Sequence, residues 1–288
     1  GETMPDTGNV FDKISSEYYQ LTTAERKVAD YVIAHQRDTQ FMSISDLAAA
    51  CGVAEATVSR FCRRLQYKGY NAFKLAVANS TARHVGHPVV VGQSEDLDTI
   101  PEVCRKLYAA DADALAQTMA LVRPESMAMA GKILSEATRV LCMGQGGSMI
   151  MAMEAAHLFS TAFPGYVPVY DSHLQIISAA TLTAADAVLF FSYSGSTQEI
   201  LELLKVAREQ GAKIILVTRF PKSPAAACAD VILQCGANEA PLQLGSVPAR
   251  MAQLFLIDVL FAEVCRISGP KARTNRERVA SALAERHI

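Results

Sequence analysis

The chain lacks the features that would carry it through a membrane or staple it covalently. Its longest apolar stretch near the carboxyl end, Leu254 to Ala262, is interrupted by Asp258 and is too short to span a bilayer. Residues Gly1 to Gly8 are polar and show no secretory-signal pattern. The 7 cysteines are scattered, with no CxxC pair and no Cys/His cluster at zinc spacing, so neither a disulfide framework nor a bound metal is expected. Cys62, Cys142 and Cys265 sit in apolar patterns and read as small core residues. A reducing cytoplasm fits that usage best. There is no internal repeat and no low-complexity tract. Acids are nearly missing from one region: between Leu47 and Ser94 the only one is Glu55, against Arg60, Arg63, Arg64, Lys68, Lys74 and Arg83. The formal net charge of the whole chain is −2. The basic island therefore points to a polyanionic partner for that segment alone.

What is present fills two domains. The 288 residues are 50% hydrophobic, ample for two cores. The first eighty or so read as helices. Val10, Phe11, Ile14 and Tyr18 recur at helical spacing. Thr22 with Glu25, and Ser43 with Asp46, have the three-residue spacing of capping boxes. Residues Ser45 to Leu65 have the proportions of a helix-turn-helix, with Gly52 in the turn and Val53 apolar where two helices must pack. In the second helix Val58, Phe61, Cys62 and Leu65 share one face. Glu55, Thr57, Ser59, Arg60, Arg63 and Arg64 lie largely on the other, where a recognition helix meets the major groove. Ala54 stands at the expected N-cap, where Ser or Thr would satisfy an amide.

From about Arg83 to Pro101 the residues Gly86, Pro88, Gly92, Ser94 and Pro101 read as a linker. Two helical stretches follow, about 102–121 and 124–137. Then short apolar runs alternate with helical patterns: Val140 to Met143, Tyr166 to Val169, Ala187 to Phe191, Ile214 to Val217 and Val231 to Gln234. Such alternation predicts a parallel sheet covered on both faces. Two loops fall at the carboxyl ends of its strands, where ligands bind in such sheets. The first is Gly144 to Ser148. The second, Ser192-Tyr193-Ser194-Gly195-Ser196-Thr197, precedes the amphipathic stretch Gln198 to Gln210. Four hydroxyls, a glycine and exposed helix amides make a neutral phosphate cradle. A cap needs one hydroxyl, not four. Neither loop carries Lys or Arg, so amides and hydroxyls alone must hold the anion.

The run Thr57 to Leu65, followed by Lys68-Gly69-Tyr70-Asn71-Ala72-Phe73-Lys74, resembles the DNA-binding domain of the RpiR family of bacterial transcriptional regulators. The downstream half, with its two loops and the segment Arg250 to Leu254 with Asp258, resembles the sugar-isomerase (SIS) phosphosugar-binding domain those regulators carry. The resemblance covers nearly the whole chain in the right order. It implies an all-α helix-turn-helix domain over about 9–85, a linker over 86–101, and an α/β SIS-like domain over about 130–270 with a parallel sheet flanked by helices. A carboxyl-terminal helix is expected over 271–288. It implies that Ser148, Ser192, Ser194 and Thr197 hold the phosphate of a sugar phosphate; Gly146, Gly147 and Ser196 complete the candidate set. Enzymes sharing the domain often carry an acid at the position of Ser196, and Gln145 and Tyr193 are variable in the family pattern. Thr57, Ser59, Arg60, Arg63, Arg64, Lys68 and Lys74 are the candidate DNA contacts. The expected partners are operator DNA, a phosphorylated sugar effector and a second copy or more of the chain, as homodimer or homotetramer, with no cofactor and no membrane.

Two other readings remain. Gly144-x-Gly146 after a strand, with Asp171 after the next, resembles a dinucleotide site, but position 149 is Met where the third glycine belongs. A sugar-phosphate isomerase needs a base beside the substrate. The lead-in to the last long helix, Gly245 to Ala249, holds no acid, which leaves Glu239 and His173 as the candidates.

Overall fold

Polar residues three apart set the starts of the early helices. In the computed structural model, which describes residues 10–84, 99–195, 198–237 and 247–285, both expected capping boxes are formed. Thr22 and Glu25 close one, Ser43 and Asp46 the other. The first compact unit, which extends to Leu107, contains helices α1 (Val10–Glu17), α2 (Thr23–Ala34), α3 (Gln36–Thr39), α4 (Ile44–Cys51), α5 (Glu55–Arg64) and α6 (Tyr70–His84). Val10, Ile14, Val28, Val32, Leu47, Val58, Phe61, Leu65 and Phe73 are fully buried in one core. Phe61 and Phe73 meet edge to face at 5.5 Å, a favoured aromatic geometry.

Helix α7 (Ile100–Leu121) starts inside the stretch expected as linker, which ran to residue 101. Pro101 lies in its first turn, where the missing N–H has no intrahelical partner to lose. The Thr99 amide and hydroxyl both donate to the Glu102 carboxylate in the helix's first turn. A proline read as a breaker is here a helix starter.

The second unit takes in the described residues from Tyr108 onward. Within it a buried bond ties α7 to the segment after the last strand: the Gly236 amide donates to the Thr118 hydroxyl at 3.0 Å. Next come α8 (Pro124–Glu136), β1 (Val140–Gly144), α9 (Gly147–Ser160), β2 (Tyr166–Pro168), α10 (Ser172–Ala180), β3 (Ala187–Phe191), α11 (Gln198–Glu209), β4 (Lys213–Thr218), β5 (Val231–Gln234), α12 (Val247–Ser268) and α13 (Pro270–Ala284). Among the described residues the strands form one five-stranded parallel sheet in the order β2-β1-β3-β4-β5.

Alternation along the strands builds two cores. Cys142, Leu189, Phe191, Ile215 and Val217 face Met127 of α8, Phe159 of α9 and Leu256 of α12. Leu141, Met143, Val188, Phe190 and Leu216 face Ala179 of α10 and Leu203 of α11. With both faces covered, β1 and β3 are buried at every position, as buried parallel strands require. All 7 cysteines are free thiols: Cys62 is buried in the first unit and Cys142 and Cys235 in the second, while Cys104 on α7 is exposed. No described helix is long and apolar enough to cross a membrane.

Candidate functional site

In the first unit, Gly52 closes α4 in the left-handed conformation at φ 65° and ψ 39°. That permits the tight turn into α5. Ala54 occupies the N-cap with extended backbone and gives no side-chain cap. The Ser45 hydroxyl on α4 donates to the Glu55 carboxylate on α5, so the region's lone acid is held against the preceding helix. Val58, Phe61, Cys62 and Leu65 form the buried face as expected.

The opposite face is sorted more finely than the periodicity predicted. Arg60, Arg63, Arg64 and Lys68 are exposed, and Ser59 and Lys74 are half-buried. Thr57, expected among the outward residues, is 5% exposed. It borders the apolar face, and its hydroxyl accepts from the Arg60 guanidinium at 3.2 Å. Arg64 is also engaged: its Nε donates to Glu25 at 3.3 Å. Burial alone would raise the Glu25 carboxyl. The Thr22 amide and hydroxyl and the Arg64 guanidinium outweigh that and hold it below its usual value.

In the second unit, β1 has β2 on one side and β3 on the other, so the strand order reverses between β1 and β3. Ligand crevices of open α/β sheets form at such a reversal. The register pairs Gly144 with Phe191, the residues that lead into the two candidate loops, so the loops emerge side by side. Gly144 must lack a side chain, because a Cβ there would stand 2.8 Å from the Ser148 carbonyl. Gly146 is the N-cap of α9 at φ 55° and ψ −130°, backbone that favours glycine. Gly146 and Gly147 are exposed and Ser148 half-buried. The Ser148 and Met149 amides turn back to the Gln145 and Gly146 carbonyls. The first loop thus offers a ligand the Ser148 hydroxyl more than those two amides.

The second loop is held from below by the turn after β4. The Thr218 hydroxyl and the Arg219 amide both donate to the Tyr193 carbonyl at 3.1 Å. The Ala225 amide donates to the Gly195 carbonyl at 2.9 Å. Carbonyls drawn inward leave the donor side of a loop for an anion. Ser192 is buried, and its Oγ accepts from the Gly195 amide at 3.0 Å; only its proton is left to donate. Ser194 is exposed. Ser196 and Thr197 lie outside the described residues, as do Glu239 and Gly245-Ser246 ahead of α12. Tyr193 packs on Phe220 at 5.8 Å and donates its hydroxyl to the Ala237 carbonyl, which gives it a scaffold role.

Sequence reasoning missed three polar residues here. Glu199 on α11 lies 3.5 Å from the Gln145 amide nitrogen, bringing a carboxylate to the mouth between the loops. Gln175, 1% exposed, donates to the Gly144 and Val169 carbonyls and ties the ends of β1 and β2 together. Ser223 is buried directly under Gly195, and its hydroxyl has no hydrogen-bond partner. Nothing local marked any of the three. Asp171 is a helix cap, accepting from the Leu174 amide at 2.8 Å, and His173 is exposed in the first turn of α10. Among the described residues no His, Cys, Asp and Glu cluster could hold a metal ion.

Comparison with known proteins agrees with both halves. Residues 8–84 match the helix-turn-helix domain of the rpiR family and residues 133–263 match the SIS domain. An HTH-type transcriptional regulator of Caldanaerobacter subterraneus is 32% identical over 263 residues, covering 91% of this chain and 92% of its own. The HTH-type transcriptional regulator HexR of Escherichia coli is 31% identical over 280 residues, covering 96% and 95%. Among solved structures, the NanR protein of Vibrio vulnificus complexed with ManNAc-6P superposes with a TM-score of 0.85 at 26% identity, covering 96% of this chain and 98% of that one. With its helical amino-terminal unit and its five-stranded parallel sheet, this chain belongs to the RpiR family of helix-turn-helix transcriptional regulators that carry a SIS domain.

Proposed function

We propose that this regulator binds operator DNA through α5 and that a phosphorylated sugar, held between the β1 and β3 loops, sets its affinity for that operator. The observation that carries the reading is the reversal of strand order between two adjacent loops, one of them held by its carbonyls so that hydroxyls and amides are left for an anion. The NanR relative complexed with ManNAc-6P supports a ligand of this class. Ser148, Ser192 and Ser194, with Ser196 and Thr197, bind the phosphate. Glu199 repels a phosphate but accepts from hydroxyls, so it faces the sugar end. Arg60 and Arg63, with Ser59, Lys68 and Lys74, contact DNA. The DNA-binding domain spans about 9–85 and the sensing domain about 130–270. The protein works in the cytoplasm as a homodimer or homotetramer, since helix-turn-helix proteins read two-fold symmetric sites.

The ligand acts only by binding one arrangement of the protein better than another. A coupling of about 1–3 kcal/mol changes operator affinity by roughly 5–150-fold. We read the chain as a sensor without turnover: His173 is exposed at the start of α10 and the first turn of α12, Val247 to Arg250, holds no acid. Calorimetry with ManNAc-6-phosphate, other hexose phosphates and the matching free sugars tests the reading. One phosphate should bind and its free sugar should not. Ser192→Ala and Ser194→Ala should each cost about 1.5–3 kcal/mol of binding, the worth of a hydrogen bond to a charged group, and should leave DNA binding intact. Equal affinity for sugar and sugar phosphate, or sustained isomerase turnover in a coupled assay, would reject it.

A further inference from the structure

We infer that Glu25 is a positioning residue for DNA recognition, acting through Arg64 to fix the carboxyl end of α5 on α2, and that Arg64 is a tether and not a DNA contact. The inference rests on the proposed DNA-binding role of α5. It begins with an excess in the capping box of α2. One carboxylate oxygen of Glu25 suffices for the box: Oε2 accepts from the Thr22 amide at 2.9 Å and from its hydroxyl at 3.0 Å. A capping glutamate can normally leave its other oxygen in water. Here the residue is only 3% exposed, and a buried carboxylate needs a charged or hydrogen-bonded partner. Arg64, thirty-nine residues on, supplies it: Nε lies 3.3 Å from Oε1 and 3.2 Å from Oε2.

The placement suits both helices. Glu25 sits in the first turn of α2 and Arg64 in the last turn of α5. A carboxylate at a helix amino end and a guanidinium at a carboxyl end are each favoured by the helix dipole. The pair therefore joins the start of one helix to the end of the other. At its other end α5 is held by the Ser45–Glu55 bond to α4. Fastened at both ends, α5 cannot rotate or slide without breaking a charged contact. Between the fastenings lie Arg60 and Arg63, both exposed, and the Arg60 guanidinium is braced on Thr57, one turn toward the amino end. If Arg64 turned to a phosphate, the Glu25 charge would be left buried with only its cap bonds.

Salt dependence separates a tether from a contact. Each phosphate contact contributes to the slope of log affinity against log salt, so removing a contact lowers the slope by about 1. The probes are a duplex selected from a random pool by the full-length wild-type chain and an unrelated duplex of equal length. Glu25→Gln is the informative variant, because Gln still completes a capping box while the ion pair is lost. Glu25→Gln and Arg64→Ala should each weaken binding of the selected duplex on the order of tenfold, comparable to one charge-assisted hydrogen bond. Both should narrow the preference over the unrelated duplex and keep the wild-type salt slope. The double variant should be no worse than either single one. Arg63→Ala should lower the slope by about 1. Glu25→Asp, which keeps the charge but falls a methylene short, should show a smaller loss and keeps the test open if Gln disturbs folding. Wild-type affinity in Glu25→Gln, or a flattened slope in Arg64→Ala, overturns the inference. Failure of the unaltered chain to bind duplex in a salt-dependent way is a different result, and it removes the DNA-binding reading itself.

Discussion

At Gly195 the backbone turns to φ 61°, and a Cβ placed there would collide with the side chain of Ser223. Two separate costs meet at one atom. A non-glycine residue in the left-handed region costs about 1–3 kcal/mol, and the collision forces Ser223 or the turn after β4 to move. Gly195→Ala should therefore lower the unfolding temperature of the sheet unit and weaken phosphate binding. An unchanged calorimetric transition would contradict this. Glu25 gives a second expectation. Its folded pKa lies below its unfolded value, so its contribution is complete above about pH 4.3, the usual glutamate value, and is lost as pH falls through the lower folded pKa. Acid titration of the helical unit should reveal that loss, and Glu25→Gln should flatten it. At this scale the sequence was a partial guide. Ser192, Ser194 and Gly195 stood out as a run. Ser223 and Glu25 did not, because their partners are brought to them from across the fold. Thr57 was assigned to the open face because a helical period does not resolve residues at the border between faces, while Arg64 is exposed as expected and its partner Glu25 was not foreseen.

Elements were more legible than residues. Strands β3 and β5 have the bounds their apolar runs predicted, and β1 and β4 extend theirs by one or two residues. Buried parallel strands leave little else that such runs can be. The capping boxes of α2 and α4 were readable because their chemistry is local. The start of α7 was not, since a proline ends some helices and begins others. The recognition helix offers a clean test of local chemistry. Ala54 has extended N-cap backbone, φ −76° and ψ 151°, and caps nothing. Ala54→Ser should supply the missing acceptor and stabilise the helical unit by about 0.5–2 kcal/mol. A chemical-denaturation midpoint equal to wild type would mean that another group already serves those amides.

For the whole molecule, pattern sufficed for the order of elements and hence for the strand reversal where the loops meet. The Thr118–Gly236 bond, between residues 118 positions apart, is of a kind that no local pattern reveals. The thiols carry a practical consequence of this two-part construction. Burial pushes both Cys62 and Cys142 up to about 12, and a thiol reacts as its thiolate. Neither can be alkylated until the surrounding packing opens. One lies in each unit, while Cys104 is exposed. With Cys235 also buried in the sheet unit, the described chain carries one internal clock in the helical unit, at least one in the sheet unit, and a starting mark. Cys104 should be modified at once, and Cys62 and Cys142 at rates set by the opening of their own units. A sugar phosphate that stabilises the sheet unit should slow the Cys142 clock. Under the proposed function, a matching change at Cys62 would be coupling between the sheet unit and the helical unit, timed by mass spectrometry on the unlabelled native chain.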